Sequence, residues 1–180
     1  MSSERSELVP PAFPRVPTWY RAAALGVDAL LVGLLAGLLG GKGLVGLILF
    51  LLIWIALRVF LVSKNYGQSL GRWAFNMRVI DTRFNRTPQL LELSKREGVL
   101  GLFVFLALNG LGNLASGNAG VALLLVPLMA DGATVLFDTT RHPQTFHDRI
   151  GETIVIGVGR GYSLDLRIRH WIDKVQRYLK

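Results

Sequence analysis

The amino-acid sequence predicts an all-α membrane protein with four transmembrane helices, and three observations predict it. Hydrophobic residues make up 51% of the 180, and the mean hydropathy is +0.42. These residues are gathered in blocks rather than spread in an amphipathic rhythm, and the blocks reach the ~20 residues needed to cross a bilayer core. Eighteen of the twenty Lys and Arg residues fall on one side of the predicted helices, Lys42 and Arg58 being the exceptions. That asymmetry marks cytoplasmic loops and puts both termini in the cytoplasm.

Residues 1–18, with Pro10, Pro11, Pro14 and Pro17, read as a flexible, extended, Pro-rich cytoplasmic leader. The first span, about 19–40, begins too late and runs too long for a cleaved signal peptide. Trp19 and Tyr20 stand at its headgroup end, and Gly33, Gly37 and Gly41 follow at intervals of four. Such a stripe of small residues lets another helix approach closely, within the bundle or in a self-dimer. The second span covers about 44–62. Gly67 to Ala74 (GQSLGRWA) then reads as a turn and a short interfacial helix anchored by Trp73, and Met77 to Asp81 (MRVID) as a short strand. Pro88 to Glu97 reads as an amphipathic lead-in to the third span.

The apolar stretch from Gly98 to Phe137 is about twice the length of one crossing and is interrupted at Asn113, Ser116, Gly117 and Asn118. It therefore divides into spans at about 99–115 and 119–137. Thr153 to Val158 (TIVIGV) is a second strand candidate. Two short strands alone are marginal in water, so the pair is expected to join in a short cytoplasmic β-hairpin-like pairing that closes a membrane domain over 19–158. Residues 159–180 alternate Leu164, Ile168, Trp171, Ile172 and Val175 with Arg167, Arg169, Lys174 and Arg177 at helical spacing. This is the pattern of an amphipathic interfacial helix.

Several function classes are disfavoured. The net charge of +8 is accounted for by the topology rule, so no nucleic-acid partner is expected. With no cysteine there is no disulfide, thiolate metal site or cysteine nucleophile. The segment DTTRHPQTFHDR, Asp138 to Arg149, holds two His and two Asp, but its spacing matches no strong metal-ligand pattern. Turn and capping roles suit Asp138, Thr145 and Asp148 better, with His142 in the turn before Pro143. Gly157 to Gly161 (GVGRG) lacks the strand–loop–helix unit of a phosphate cradle, and no nucleophile elbow is present. Neither catalysis nor a cofactor is expected.

The candidate site starts from two acids in apolar segments, Asp28 and Asp131. A charge in hydrocarbon costs roughly 2.5 to 3.5 kcal/mol on insertion scales, so such residues face a bundle interior, a partner or a water-filled path. Helical rise puts Asp28 roughly 13 Å and Asp131 about 9 Å from the same interface. Arg21 lies two turns before Asp28, and Arg58 is near the end of the second span. One reading pairs the two acids with these two arginines as buried ion pairs that fix the bundle's register. The other has one desolvated carboxylate bind and release a proton or cation, with Asn109 and Asn113 as polar path lining.

Three segments together resemble the RDD family of bacterial integral membrane proteins. They are Arg21 with Asp28 (RAAALGVDALL), Gly67 to Asp81 (GQSLGRWAFNMRVID) and Phe146 to Val155 (FHDRIGETIV). The middle block resembles the family's Gly-x-Thr-x-Gly-Lys followed by an Arg-Val strand; it contributes Gly67, Ser69, Gly71, Arg72 and Arg78, with Ser69 and Arg72 where Thr and Lys are usual. Asp148 would be the second family aspartate, whereas Asp131 and Arg58 lie outside the signature. The resemblance implies a module of the bacterial plasma membrane, or of an internal membrane, connected with transport of unidentified ligands. Two functions follow as expectations. One is transport of a proton, cation or small solute through Arg21, Asp28, Arg58 and Asp131, in a homo-oligomer. The other is an accessory or assembly subunit docked on a larger membrane complex.

Overall fold

The computed structural model describes residues 13–40, 43–114, 117, 119–140 and 142–158. Four of its helices are long and apolar enough to cross a membrane: α1 (Thr18–Leu38), α2 (Gly43–Lys64), α4 (Leu90–Leu114) and α5 (Gly120–Phe137). Between α2 and α4 come the short helix α3 (Leu70–Ala74) and strand β1 (Met77–Asp81); after α5 come helix α6 (Phe146–Ile150) and strand β2 (Thr153–Gly157). The expected amphipathic helix over 159–180, most of the Pro-rich leader, Gly41, Lys42 and Asn118 lie outside the described residues.

The two strands pair as expected. They run antiparallel, with Met77 opposite Gly157 and Asp81 opposite Thr153. A two-stranded ribbon is unstable unless its faces are covered. Here Met77, Val79 and Val155 pack on Ala24 and Tyr20 of α1, while Ile80, Ile154 and Ile156 close over Phe13. This sheet end of the bundle thus binds the central loop and the segment after α5 to the first turns of α1.

In the apolar half the core is Ala29, Val32 and Ala36 of α1, Phe50 and Trp54 of α2, and Leu100 and Val104 of α4. The Phe50 and Trp54 rings stack with centroids 5.5 Å apart. Gly101 lets α4 lie against Trp54: a Cβ there would come within 2.7 Å of the indole. Gly33 similarly faces Leu108 of α4, whereas nothing lies within 4 Å of a Cβ built at Gly37.

Three departures from regular spans matter for the site. α2 carries a π turn over Ala56–Phe60 with Arg58 at its centre, the kind of bulge that re-aims a side chain. α4 begins at Leu90, so the segment expected as an amphipathic lead-in is its first two turns; Leu93, Arg96, Glu97, Leu100 and Val104 share one buried face. α5 is a 3-10 turn up to Leu125, an α segment over Val126–Ala133 and a second 3-10 turn over Thr134–Phe137. Pro127 sits in the first turn of that α segment, where its missing N–H leaves no broken bond. α5 packs along α4 and makes little contact with α1, which leaves a crevice between them.

Candidate functional site

Apart from Asp81, which pairs with Arg83, the buried acids and arginines among the described residues gather at the sheet end and form one connected set. Asp28 on α1 is approached from two elements. Arg58 Nη1 of α2 donates to its Oδ2, Ser69 Oγ donates to the same oxygen at 2.6 Å, and the Gly71 amide donates to Oδ1 at 2.8 Å. Local sequence explains this cradle. Ser69 caps α3, its Oγ also accepting from the Arg72 amide at 3.3 Å. Gly71 lies so close to α1 that a Cβ would sit 2.1 Å from the Ala24 carbonyl oxygen. Gly67 has φ +83°, the left-handed region, and a Cβ there would meet the Val79 carbonyl oxygen at 2.3 Å. The glycines of the block are therefore needed for the loop to reach Asp28.

Glu97 on α4 is the next hub and is fully buried. Arg58 Nε donates to it at 2.7 Å, Arg72 Nη2 at 2.7 Å, and Arg96 Nη1 also donates to it. Trp54 Nε1 binds its backbone carbonyl at 3.0 Å, and the Arg58 guanidinium lies 4.7 Å from the Trp54 ring centre. Three guanidiniums thus share one carboxylate, and Arg72 Nη1, though buried, has no hydrogen-bond partner. Burial first, then the charges of Arg58 and Arg96, push the Arg72 pKa down to about 9 against the pull of Glu97.

Asp148 is the third hub. Arg96 donates to its Oδ1 from Nε at 2.9 Å and from Nη2 at 2.7 Å, and Arg21 Nη2 donates to Oδ2. It also closes a capping box with Thr145 at the start of α6. Burial alone would raise this carboxyl, but Arg21 and Arg96 hold it well below the usual range. Arg21 Nη1 reaches the Pro143 carbonyl at 2.7 Å as well.

Asp131 on α5 takes a different partner, His147. The His147 amide donates to Oδ1 at 2.9 Å, and Nδ1 lies 2.6 Å from Oδ2. Arg96 Nη2 is 3.2 Å from the other ring nitrogen, Nε2. Because a guanidinium can only donate, Nε2 accepts and the ring proton is assigned to Nδ1, facing Asp131. Burial lowers the His147 pKa, so the ring is neutral at neutral pH. Among the described residues, four arginines (21, 58, 72 and 96) then balance four carboxylates (28, 97, 131 and 148).

The expected pairing of Asp28 and Asp131 with Arg21 and Arg58 is therefore met by one pair. Asp28 holds Arg58, but Arg21 goes to Asp148 and Asp131 to His147. Asn109 and Asn113 are exposed; their side-chain amides donate to carbonyls one turn back at 2.9 and 2.8 Å, so they line no path. Asp138 accepts from the Thr140 and Gln144 amides at 3.0 and 2.9 Å, as a turn residue does. Arg78 sits in β1 opposite Ile156. Sequence reasoning missed Arg96, Glu97 and His147. The usable signal was the spacing of Leu93, Glu97, Leu100 and Val104, which puts Glu97 on the same helical face as three core residues.

The crevice between α1, α4 and α5 is a cavity of about 470 Å³. Its floor is charged: Arg21, Arg58, Arg72, Arg96, Asp131 and His147 all line it. Its walls are apolar, with Leu25, Ala29, Leu100, Val104, Leu108 and Leu128 prominent. Asp28 is not among the lining residues.

A family model described as the RDD family matches residues 15–152. Neither a curated protein nor a solved structure matches the chain.

Proposed function

Because the chain belongs to the RDD family and has four helices long and apolar enough to cross a membrane, we propose that it binds and passes a small solute without catalysis, using the crevice between α1, α4 and α5 as the solute site. The observation that carries this is the shape and chemistry of that cavity. At about 470 Å³ it falls within the roughly 300–1,000 Å³ of small-molecule sites, and it joins apolar walls to a few convergent polar groups. The charged floor lies at the sheet end, which we take to be the cytoplasmic end.

Within the transport reading, a solute is favoured over a proton or cation passing Asp28. That carboxylate already accepts from Arg58, Ser69 and Gly71, and it does not reach the cavity. A cation site would need carboxylate oxygens not already claimed by donors, and both Asp131 oxygens are engaged by His147. Asp131 is the acid that faces the cavity, and its partner is a histidine rather than an arginine.

Gly26 and Gly132 both line the cavity and have nothing within 4 Å of an added Cβ. Gly26→Leu with Gly132→Leu should fill the space and leave the charged set intact. The test is thermal stabilisation of purified protein by a panel of organic acids from short-chain to long-chain, sugars and amino acids, with flux of each binder then followed in proteoliposomes. Binding and flux that vanish in the double variant support the proposal. Protein that binds nothing alone, but co-purifies with one membrane complex and loses it on Gly37→Leu, would favour the accessory-subunit reading instead.

A further inference from the structure

The cavity has two unlike ends, and each calls for a different chemical group. At the floor, Arg58, Arg72 and Arg96 converge on the Glu97 carboxylate; Arg58 also holds Asp28 and Arg96 also holds Asp148, so Arg72 is the one of the three that rests on the shared Glu97 alone. Arg72 is only 4% exposed, lines the cavity, and has Nη1 buried without an acceptor. A buried charged donor left unmade is costly, and an anion would satisfy it. Among the described residues Asp131 is the carboxylate that lines the cavity, and it is taken up by the His147 amide and ring rather than by Arg72. The lowered pKa of Arg72 reports the same crowding of positive charge from Arg58 and Arg96 on top of burial.

Away from the floor the lining is hydrocarbon. Along α4 it extends from Arg96 through Leu100, Val104 and Ala107 to Leu111, about 22 Å of helix. That exceeds the roughly 15 Å half-thickness of a bilayer's hydrocarbon core, so one acyl chain has room to lie along it. α1 and α5 line the crevice from either side with little mutual contact, so these two helices do not close it between them. A soluble polar metabolite would leave these walls unused, and a neutral lipid would leave Arg72 unsatisfied.

The geometry points to a single-chain, anion-headed amphiphile as the ligand, its headgroup at Arg72 between Arg58 and Arg96 and its tail along α4. This inference rests on the cavity being the binding site, and the experiment separates the two. Purified wild-type protein in phosphatidylcholine nanodiscs is titrated with three probes: oleate, methyl oleate and acetate. Oleate should bind at least about tenfold tighter than methyl oleate, and acetate should not compete at matched concentration.

Arg72→Lys keeps a charge for Glu97 but loses the second nitrogen, and it should cut the preference for oleate over methyl oleate to near unity. Arg72→Gln should do the same and serves as a check where it folds. Gly26→Leu with Gly132→Leu should remove binding of both oleyl probes. Equal binding of oleate and methyl oleate to wild type, or an undiminished preference in Arg72→Lys, would overturn the headgroup assignment while leaving the cavity as a site. Oleate binding unchanged in the glycine double variant would instead remove the cavity itself, and with it the proposed function. Acetate competing as well as oleate would make the ligand a small soluble anion.

Discussion

Asp28 and Asp131 look alike in the sequence, each a lone acid in an apolar run, yet the structure treats them in opposite ways. Asp28 is held by a guanidinium, a hydroxyl and a backbone amide from two other elements, and it is turned away from the cavity. Asp131 faces the cavity and is held by the amide and ring of one histidine. The first arrangement fixes where α3 sits on α1. The second includes a histidine, whose protonation burial moves below its ordinary 6.5. Burial of a carboxylate thus says little about its role until its donors are counted.

The two halves of the set meet at Asp148, and breaking it should have the largest effect. Asp148→Asn leaves Arg21 and Arg96 sharing a neutral amide in a buried site. Removing one partner of a buried ion pair costs about 3–5 kcal/mol, and here Arg21 loses its one carboxylate while Arg96 is left with Glu97 alone, so the upper end is expected. Thermal unfolding in detergent should show it as less stable than Asp28→Asn and Asp131→Asn. A loss smaller than that of Asp28→Asn would mean that α6 is not the junction between the two halves.

Asp28→Asn comes next, at about 3 kcal/mol, because Arg58 retains Glu97 when Asp28 is neutralised. It should weaken the docking of α3 without altering ligand binding, since Asp28 does not line the cavity. Asp131→Asn should do the reverse, changing the pH profile of binding more than the stability. A pair of variants with the two effects exchanged would undo the contrast between the acids.

The glycine block gives a third comparison, of smaller size. Gly71→Ala places a methyl 2.1 Å from the Ala24 carbonyl oxygen, and overpacking of this kind costs about 1–3 kcal/mol. Gly26→Ala meets nothing within 4 Å and should stay within about 0.5 kcal/mol of wild type. Equal destabilisation of the two would mean that α3 does not sit against α1 as closely as the backbone places it.

The fold was legible where one signal acts locally. Runs of apolar residues located four helices, and the alternation in MRVID and TIVIGV located two strands that needed each other. The site was legible only in part. Arg58 and Asp28 stand out because each interrupts hydrocarbon. Glu97 and Arg96 do not: they lie in the polar stretch after Leu91, where a charged pair reads as a solvated face, and only partners distant in the chain turn that face inward. His147 was hidden for a similar reason, since in FHDR it resembles a turn residue or a stray ligand, and its role depends on α5 bringing Asp131 beneath it. Pairings across more than about a hundred residues, such as Arg21 with Asp148, leave no local trace.

The least disruptive test moves a single proton. Burial lowers the His147 pKa below its ordinary 6.5, against the pull of Asp148 and Asp131, so the folded protein resists a proton that the unfolded chain accepts. Between the lowered folded value and 6.5 the unfolded state binds more protons, and stability therefore rises with pH across that window. His147 should leave stability fully intact above about 6.5 and erode it progressively as the pH drops below. Asp148 acts in a separate and more acidic window. Its depressed carboxyl gives stability that is present above its ordinary 3.8 and lost only as the pH falls toward the folded value. A series of melting temperatures from pH 7.5 to 4.5 should accordingly slope downward in wild type and flatten in His147→Gln, which keeps a hydrogen-bonding side chain but cannot titrate. A wild-type curve that instead rises on acidification through 6.5 would mean that His147 is charged in the fold, paired with both aspartates, and that Asp131 is as firmly held as Asp28.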